Sequence, residues 1–267
     1  MNGYQVDQAP FYTSPDDSVW AYHGLATERG GHPVTILCYQ LSRTTYSDRL
    51  PDLLDAVLNL GLEQAKTEGN CPILEMQVDL SEAPERYTLF HIVDVQEEGR
   101  KEETDLQKYM HKAAAQLTAV RDAPREGASE LYQTDSKPFY MSQNGVVSLF
   151  KGDSNGLPII AKRHKFVKLR EKTRLPRELA SAMNAGLAQS RVEHLHTCII
   201  LQMHLDVSEA PTRYRLDHIL EALDSDVEKE IEKRKEEQRP MSEGELCNFL
   251  VQTSEALAFA HSKVRGM

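Results

Sequence analysis

The side chains able to do chemistry are few, and most have an ordinary structural reading. His194 and His196 stand two apart, a spacing open to a metal, but no third ligand is placed near them and the segment reads as a loop. The four cysteines (Cys38, Cys71, Cys198 and Cys247) contain no C-x-x-C pair, which argues against a zinc site. Cys71 and Cys198 read as reduced thiols packed like small hydrophobes. Lys162 and Glu178, sixteen residues apart, could form an ion pair; on a surface such a pair contributes about 0–1 kcal/mol and no chemistry. His91 and His218 each sit beside an apolar strand and read as satisfied structural histidines. Asp79 and Asp206 each precede a Ser-Glu-Ala-Pro turn, where an aspartate accepts backbone amide hydrogens.

Several of these residues come in pairs because the chain contains one block twice. Cys71–Val93 and Cys198–Leu220 are identical at 14 of 23 aligned positions. The match extends upstream, where Arg49–Lys66 aligns with Arg174–Arg191 at a separation of 125. It also extends downstream, where Asp105–Ala123 aligns with Glu245–Lys263 at a separation of 140. The second copy has therefore gained about thirteen residues before its last helix, and Asp224–Arg239 is nearly all charge. That stretch predicts a solvated helix with Glu230 and Arg234 paired four apart. Pro240 ends it, and Ser242 with Glu245 predicts a capping box for the helix that follows. The expected organisation is a first copy over 9–123, a linker over 124–136 and a second copy over 137–263.

Each copy predicts three extended segments, a helix, two strands and a closing helix. In the second copy the extended segments are Phe139–Met141, Gly145–Lys151 and Pro158–His164, with Asp153–Gly156 as a hairpin turn. Pro176 falls in the first turn of the helix, where its missing N–H is tolerated. Leu179, Met183 and Leu187 give that helix one apolar face. The strands Cys198–Val207 and Arg213–Leu220 follow, and Leu246, Leu250, Leu257 and Ala260 mark the closing helix. The fold class is therefore α+β, two units of an antiparallel five-stranded sheet with one helix, each followed by another helix.

The net charge is −10, which argues against a general nucleic-acid surface. It leaves room for one nucleotide in one pocket, where a single lysine can suffice. No apolar run approaches the ~18 residues of a membrane span. Met1–Gln8 lacks a secretory pattern, and glycine stands at position 3 rather than 2. The expected location is cytoplasmic.

The second copy resembles the small lobe of a eukaryotic protein kinase, from about Phe139 to Lys263. Gly145-Val146-Val147 resembles the end of a glycine-rich loop, and Ile159-Ile160-Ala161-Lys162 resembles the V-A-I-K strand. Glu178 resembles the helix glutamate that pairs with the lysine. Leu220-Glu221-Ala222-Leu223 resembles the gatekeeper and hinge, and Ala256–Lys263 the helix that introduces a catalytic loop. The resemblance implies an ATP site: Val147 covering adenine, Ala161 roofing it, Lys162 on the phosphates with Glu178 behind, and hinge backbone at Leu220, Glu221 and Leu223 reading the base. Gly145 would lie in the loop over the phosphates.

Departures from the family pattern shape the expected function. Tyr140 and Ser142 stand where two further loop glycines belong. The sequence stops at Met267 before any H-R-D-x-x-x-x-N or D-F-G. The base and the metal-held charge neutralisation of phosphoryl transfer are thus missing, and magnesium is not expected. Aligned with the second copy, Leu37 of the first stands at Lys162 and Leu53 at Glu178. The expectation is a kinase-family protein incomplete for phosphotransfer, with an ATP site in the second copy. The alternatives are a non-catalytic scaffold or interaction module, and a fragment of a longer active kinase. Apolar residues on the closing helices (Phe249, Leu250, Phe259) predict that the copies pack together or that the chain associates with a protein partner or with itself.

Overall fold

The computed structural model describes residues 3–66, 71–94, 100–123, 132–167, 174–192, 194–222 and 227–265. These residues form an α+β fold, with two antiparallel sheets and five long helices among them. The first unit runs β1 (Tyr4–Val6), β2 (Tyr12–Thr13), β3 (Val19–Ala26), β4 (His32–Ser42), the single turn α1 (Arg43–Tyr46), α2 (Leu50–Lys66), β5 (Ile73–Asp79), β6 (Arg86–Asp94) and α3 (Arg100–Asp122). The second runs β7 (Gln133–Thr134), β8 (Tyr140–Met141), β9 (Val147–Ser154), β10 (Leu157–Val167), α4 (Arg174–Ser190), β11 (Ile200–Asp206), β12 (Arg213–Glu221), α5 (Val227–Glu236) and α6 (Glu243–Arg265). Sheet order is β1-β3-β4-β6-β5 in one and β7-β9-β10-β12-β11 in the other, with β2 and β8 paired onto β3 and β9. The sequence repeat is a repeat of topology. Each sheet also gains a strand outside the expected limits: Tyr4–Val6 precedes residue 9, and Gln133–Thr134 lies inside the expected linker.

Local sequence explains the turns. Asn155 and Gly156 adopt φ of 53° and 81° between β9 and β10, the left-handed pair a tight hairpin requires. Asp79 and Asp206 each accept the N–H of the serine two residues on, at 2.8 Å. The capping box forms as well: Ser242 N–H donates to Glu245 Oε2 at 2.9 Å, and Glu245 N–H donates back to Ser242 Oγ at 3.3 Å. Arg234 joins Glu230 at 2.6 Å and Glu245 at 3.0 Å, and so ties α5 to the start of α6.

The two units pack against each other through their equivalent helices. α2 packs on β11 of the second unit and α4 on β5 of the first, and the helices touch each other. Leucines and their neighbours from both units form one continuous core. The contacts are reciprocal. β5 and β11 are edge strands, whose unpaired backbone groups need cover. Asn184 donates to the Met76 carbonyl at 3.0 Å and accepts the Met76 N–H at 2.7 Å. Lys66 caps the Ile200 carbonyl at 3.2 Å, and Arg191 caps the Ile73 carbonyl. These residues align with one another in the repeat, so the chain is built like a two-fold dimer within one polypeptide.

One contact breaks the symmetry. Asp55, buried on α2, meets His204 Nδ1 at 2.5 Å and accepts the Leu205 N–H at 2.9 Å. The repeat places Ala180 and Gln77 at the matching positions.

The closing helices differ most. α3 packs on α2 and β3. Leu106, Tyr109, Met110, Ala113 and Leu117 are buried beneath it. Lys112 pairs with Glu63 at 2.9 Å and Arg121 with Asp16 at 2.8 Å. With that cover, α2 is buried nearly all round: Leu53, Leu54, Leu58 and Leu60 are at most 1 % exposed. α4 instead buries one face (Leu175, Leu179, Met183, Leu187) and leaves Ser181, Ala185 and Ala188 in solvent. α6 makes no comparable packing on β9 or α4 among the described residues. The repeat explains why, because Ala188, Asn144, Gln252 and His261 stand where Glu63, Asp16, Lys112 and Arg121 anchor α3. Among the described residues no helix is long and apolar enough to cross a membrane.

Candidate functional site

The candidate residues of the second unit fall on both faces of its sheet. Lys162 on β10 is paired with Leu149 on β9 and with His218 on β12. Residues directly opposite in such a ladder share a face, and alternate residues along a strand switch faces. One face therefore carries Val147, Leu149, Ile160, Lys162, His164, His218 and Leu220, and α4 covers part of it. The other carries Phe150, Ala161, Arg163 and Asp217. Val147, Lys162 and Leu220 are thus brought together, and Ala161 is not: it lies on the far side of the sheet, 0 % exposed in a small cluster with Phe150, Ile159 and Ile219. Ile160 holds the position on the Lys162 face where Ala161 was expected to roof a base.

Glu178 is carried by α4, beside that face, yet its carboxylate pairs with Arg174 at 2.7 Å one turn back. No ion pair joins it to Lys162 among the described residues. Gly145 sits in the tight β8–β9 turn with φ of 68°, a conformation glycine adopts without strain. Its N–H donates to the Ser142 carbonyl at 2.8 Å. The N–H of Val146 donates to Asn144 Oδ1 at 3.1 Å and that of Val147 to Ser142 Oγ at 2.9 Å. The first unit has the same turn, with Ser14, Asp16 and Asp17 in those roles. At the hinge-like end, Glu221 N–H donates to Ile199 O at 3.1 Å and Ala222 N–H to Pro158 O at 3.3 Å. The Glu221 carboxylate accepts the Ile199 N–H at 2.9 Å. Leu220 is buried. Leu223 lies outside the described residues.

The backbone donors that would read phosphates or adenine are therefore spent within the fold. What the face retains is two lysines, the half-buried Lys162 and the exposed Lys151, and an apolar floor. Sequence equivalence sets it against the first unit, where Val19, Ala21, Leu37 and Tyr39 occupy the positions of Val147, Leu149, Lys162 and His164. All four are 0 % exposed, sealed in the core that α3 completes. Their four counterparts are partly exposed, and Tyr140, at the edge of the face, is 53 % exposed. The same surface is filled in one unit and open in the other.

On this face, beneath α2 and α4, lie the repeated histidines. His91 Nδ1 meets Tyr109 Oη at 2.7 Å and Tyr39 Oη at 3.1 Å. Its Nε2 has no hydrogen-bond partner among the described residues, nor has that of His218. The expectation of satisfied structural histidines is met at His91 Nδ1 and not at the Nε2 of either ring. Both Nε2 atoms lie against helix glycines, near Gly61 and Gly186, where a Cβ would stand 3.2 and 3.1 Å away. Burial alone lowers His91 to about 3, and burial, the nearby His164 and then Lys162 lower His218 to about 3. His164, also below the usual range at about 4 through burial and then Lys162, packs on His218 with ring centroids 4.9 Å apart. These rings are neutral and suited to packing.

On the opposite face Asp217 is fully buried and held by Arg163 at 2.9 Å and the Tyr132 hydroxyl at 2.5 Å, with Arg163 over Phe150. Sequence reading missed this cluster, because no motif marks it and the first unit has Cys38 and Phe90 instead. A shallow, mostly apolar cleft of about 480 Å³ lies elsewhere, between Tyr12 and α3, and holds none of the candidate residues. Comparisons with known protein families, curated proteins and solved structures found no match for this chain.

Proposed function

We propose that this chain is a non-catalytic binding module made of two units that resemble kinase small lobes. The first unit fills its own face with α3, and the second offers the equivalent face, around Lys162, to a helical segment. The observation that carries this reading is the contrast between Leu37, 0 % exposed in the α3-completed core, and its counterpart Lys162, partly open to solvent. Strand order and the helix between the second and third long strands of each unit support the kinase-lobe resemblance. The internally spent amides at Gly145, Val146, Val147 and Ala222 count against phosphate and adenine recognition.

A second reading keeps one specific support. Lys162, Val147 and Leu220 share a face beside the helix that carries Glu178, the arrangement an ATP site would use. Titration with a fluorescent ATP analogue separates the two. The binding-module reading expects no saturable binding that depends on Lys162. It also expects a synthetic peptide spanning residues 243–265 to bind the protein, and Leu149→Glu to abolish that binding. Saturable nucleotide binding lost in Lys162→Ala would transfer the function to the second reading.

A further inference from the structure

We infer that the helix accepted by the second unit is α6 of a second copy of this chain, exchanged reciprocally to form a homodimer. The inference rests on the helix-acceptor reading above and names its occupant. The first unit supplies the template. The buried residues of α3 that seat it are Leu106, Tyr109, Met110 and Leu117. Residues 140 positions later on α6 are Leu246, Phe249, Leu250 and Leu257. These four are 46, 37, 54 and 55 % exposed. The receiving side shows the same mismatch. Tyr12 packs on His111 of α3 with ring centroids 5.9 Å apart. Their counterparts, Tyr140 and Val251, are both 53 % exposed. Surfaces that meet in the first unit thus stand apart in the second, each apolar and each facing water.

The chain's own α6 is held away from this face. Arg234 latches Glu245 to α5. Farther along, Glu255 lies 3.7 Å from His196, and Phe259 packs on His194 with centroids 5.1 Å apart. The α5 segment has no counterpart in the first unit, and Leu246, Leu250, Val251 and Leu257 of α6 stay exposed toward a neighbour. Polarity also matches. The groove has exchanged Leu37 for Lys162 and Leu53 for Glu178, and the helix has exchanged Ala113 and Ala114 for Thr253 and Ser254. A swap between two copies satisfies both exposed faces at once and closes on itself, as a reciprocal exchange must.

The test uses the full chain. Sedimentation equilibrium should give about twice the 30.2 kDa chain mass at micromolar concentration. Phe249→Asp with Leu250→Asp should raise the dimer dissociation constant at least ~10-fold and leave the far-ultraviolet circular dichroism unchanged. Geometry is read by cross-linking in a Cys247→Ser background. A Tyr140→Cys chain mixed with a Val251→Cys chain should form a disulfide between the two. A Val251→Cys chain that links to itself would overturn the exchange in favour of α6 pairing with α6. An internal link in the double variant would overturn it in favour of α6 folding back. A monomer at every concentration that still binds the residue 243–265 peptide would overturn the occupant and spare the acceptor; a monomer that does not bind it would overturn both.

Discussion

Asn59 on α2 grips both backbone groups of Met203 on the far unit's edge strand, donating to its carbonyl at 3.0 Å and accepting its N–H at 2.8 Å. Asn184 does the same to Met76. The two grips replace the strand neighbour that β5 and β11 lack on that side. A buried amide left without a partner costs about 1–3 kcal/mol. Asn59→Ala and Asn184→Ala should each lower unfolding free energy by about that amount, measured by urea denaturation. Equal losses are expected from the two, because the sites are equivalent. A loss in one variant only would break the pseudo-two-fold account.

Gly61 and Gly186 let the helices lie close over the histidines. A Cβ at Gly61 would stand 2.0 Å from Met76 Cε, and one at Gly186 would stand 2.8 Å from Met203 Sδ. Alanine should gain about 1 kcal/mol in helix propensity and lose about 1–3 kcal/mol to overpacking. The expected net effect is destabilisation at both sites, read as a lowered midpoint in thermal unfolding.

Acid should unfold the protein through His91 and His218. Both are lowered to about 3 in the fold, against about 6.5 for a free histidine. Between those values the unfolded chain binds protons that the folded chain refuses. Stability therefore falls as pH drops from 6.5 toward 3, by up to about 1.4 kcal/mol per pH unit for each histidine. His91→Gln should flatten the slope of unfolding free energy against pH in that window.

The Asp55–His204 pair works in the opposite direction. Burial opposes the charged ring, but the hydrogen bond and charge of Asp55 outweigh it and hold His204 above its usual range. A raised histidine contributes fully below its unfolded value and loses that contribution as pH rises through the folded one. Contact between the units should weaken as pH rises through the raised folded value of His204. His204→Gln should remove that dependence, seen by hydrogen exchange at the Leu205 amide.

Much of the fold was legible because the repeat doubled several of its signals. Pro176, the Asp-to-Ser turns, Asn155-Gly156 and the Ser242–Glu245 box each specify local geometry with the nearest neighbours alone. The site was less legible. Strand alternation places Ala161 and Lys162 on opposite faces, and a motif match that joins adjacent residues does not register this. The Asn59–Met203 and Asn184–Met76 grips span the two units, and an isolated asparagine carries no trace of its distant partner. The undocked α6 follows from four lost anchors, whose meaning appears only once α3 shows what they hold.

In the proposed assembly the open face around Lys162 is covered by a helix of another chain, and the reactivity of the Lys162 amine reads this directly. Under mild acetylation, labelling at Lys162 should be fast in dilute protein and fall as concentration rises, with Leu250→Asp restoring it. Labelling that ignores protein concentration, and is instead suppressed by magnesium-ATP in dilute solution, would contradict the account.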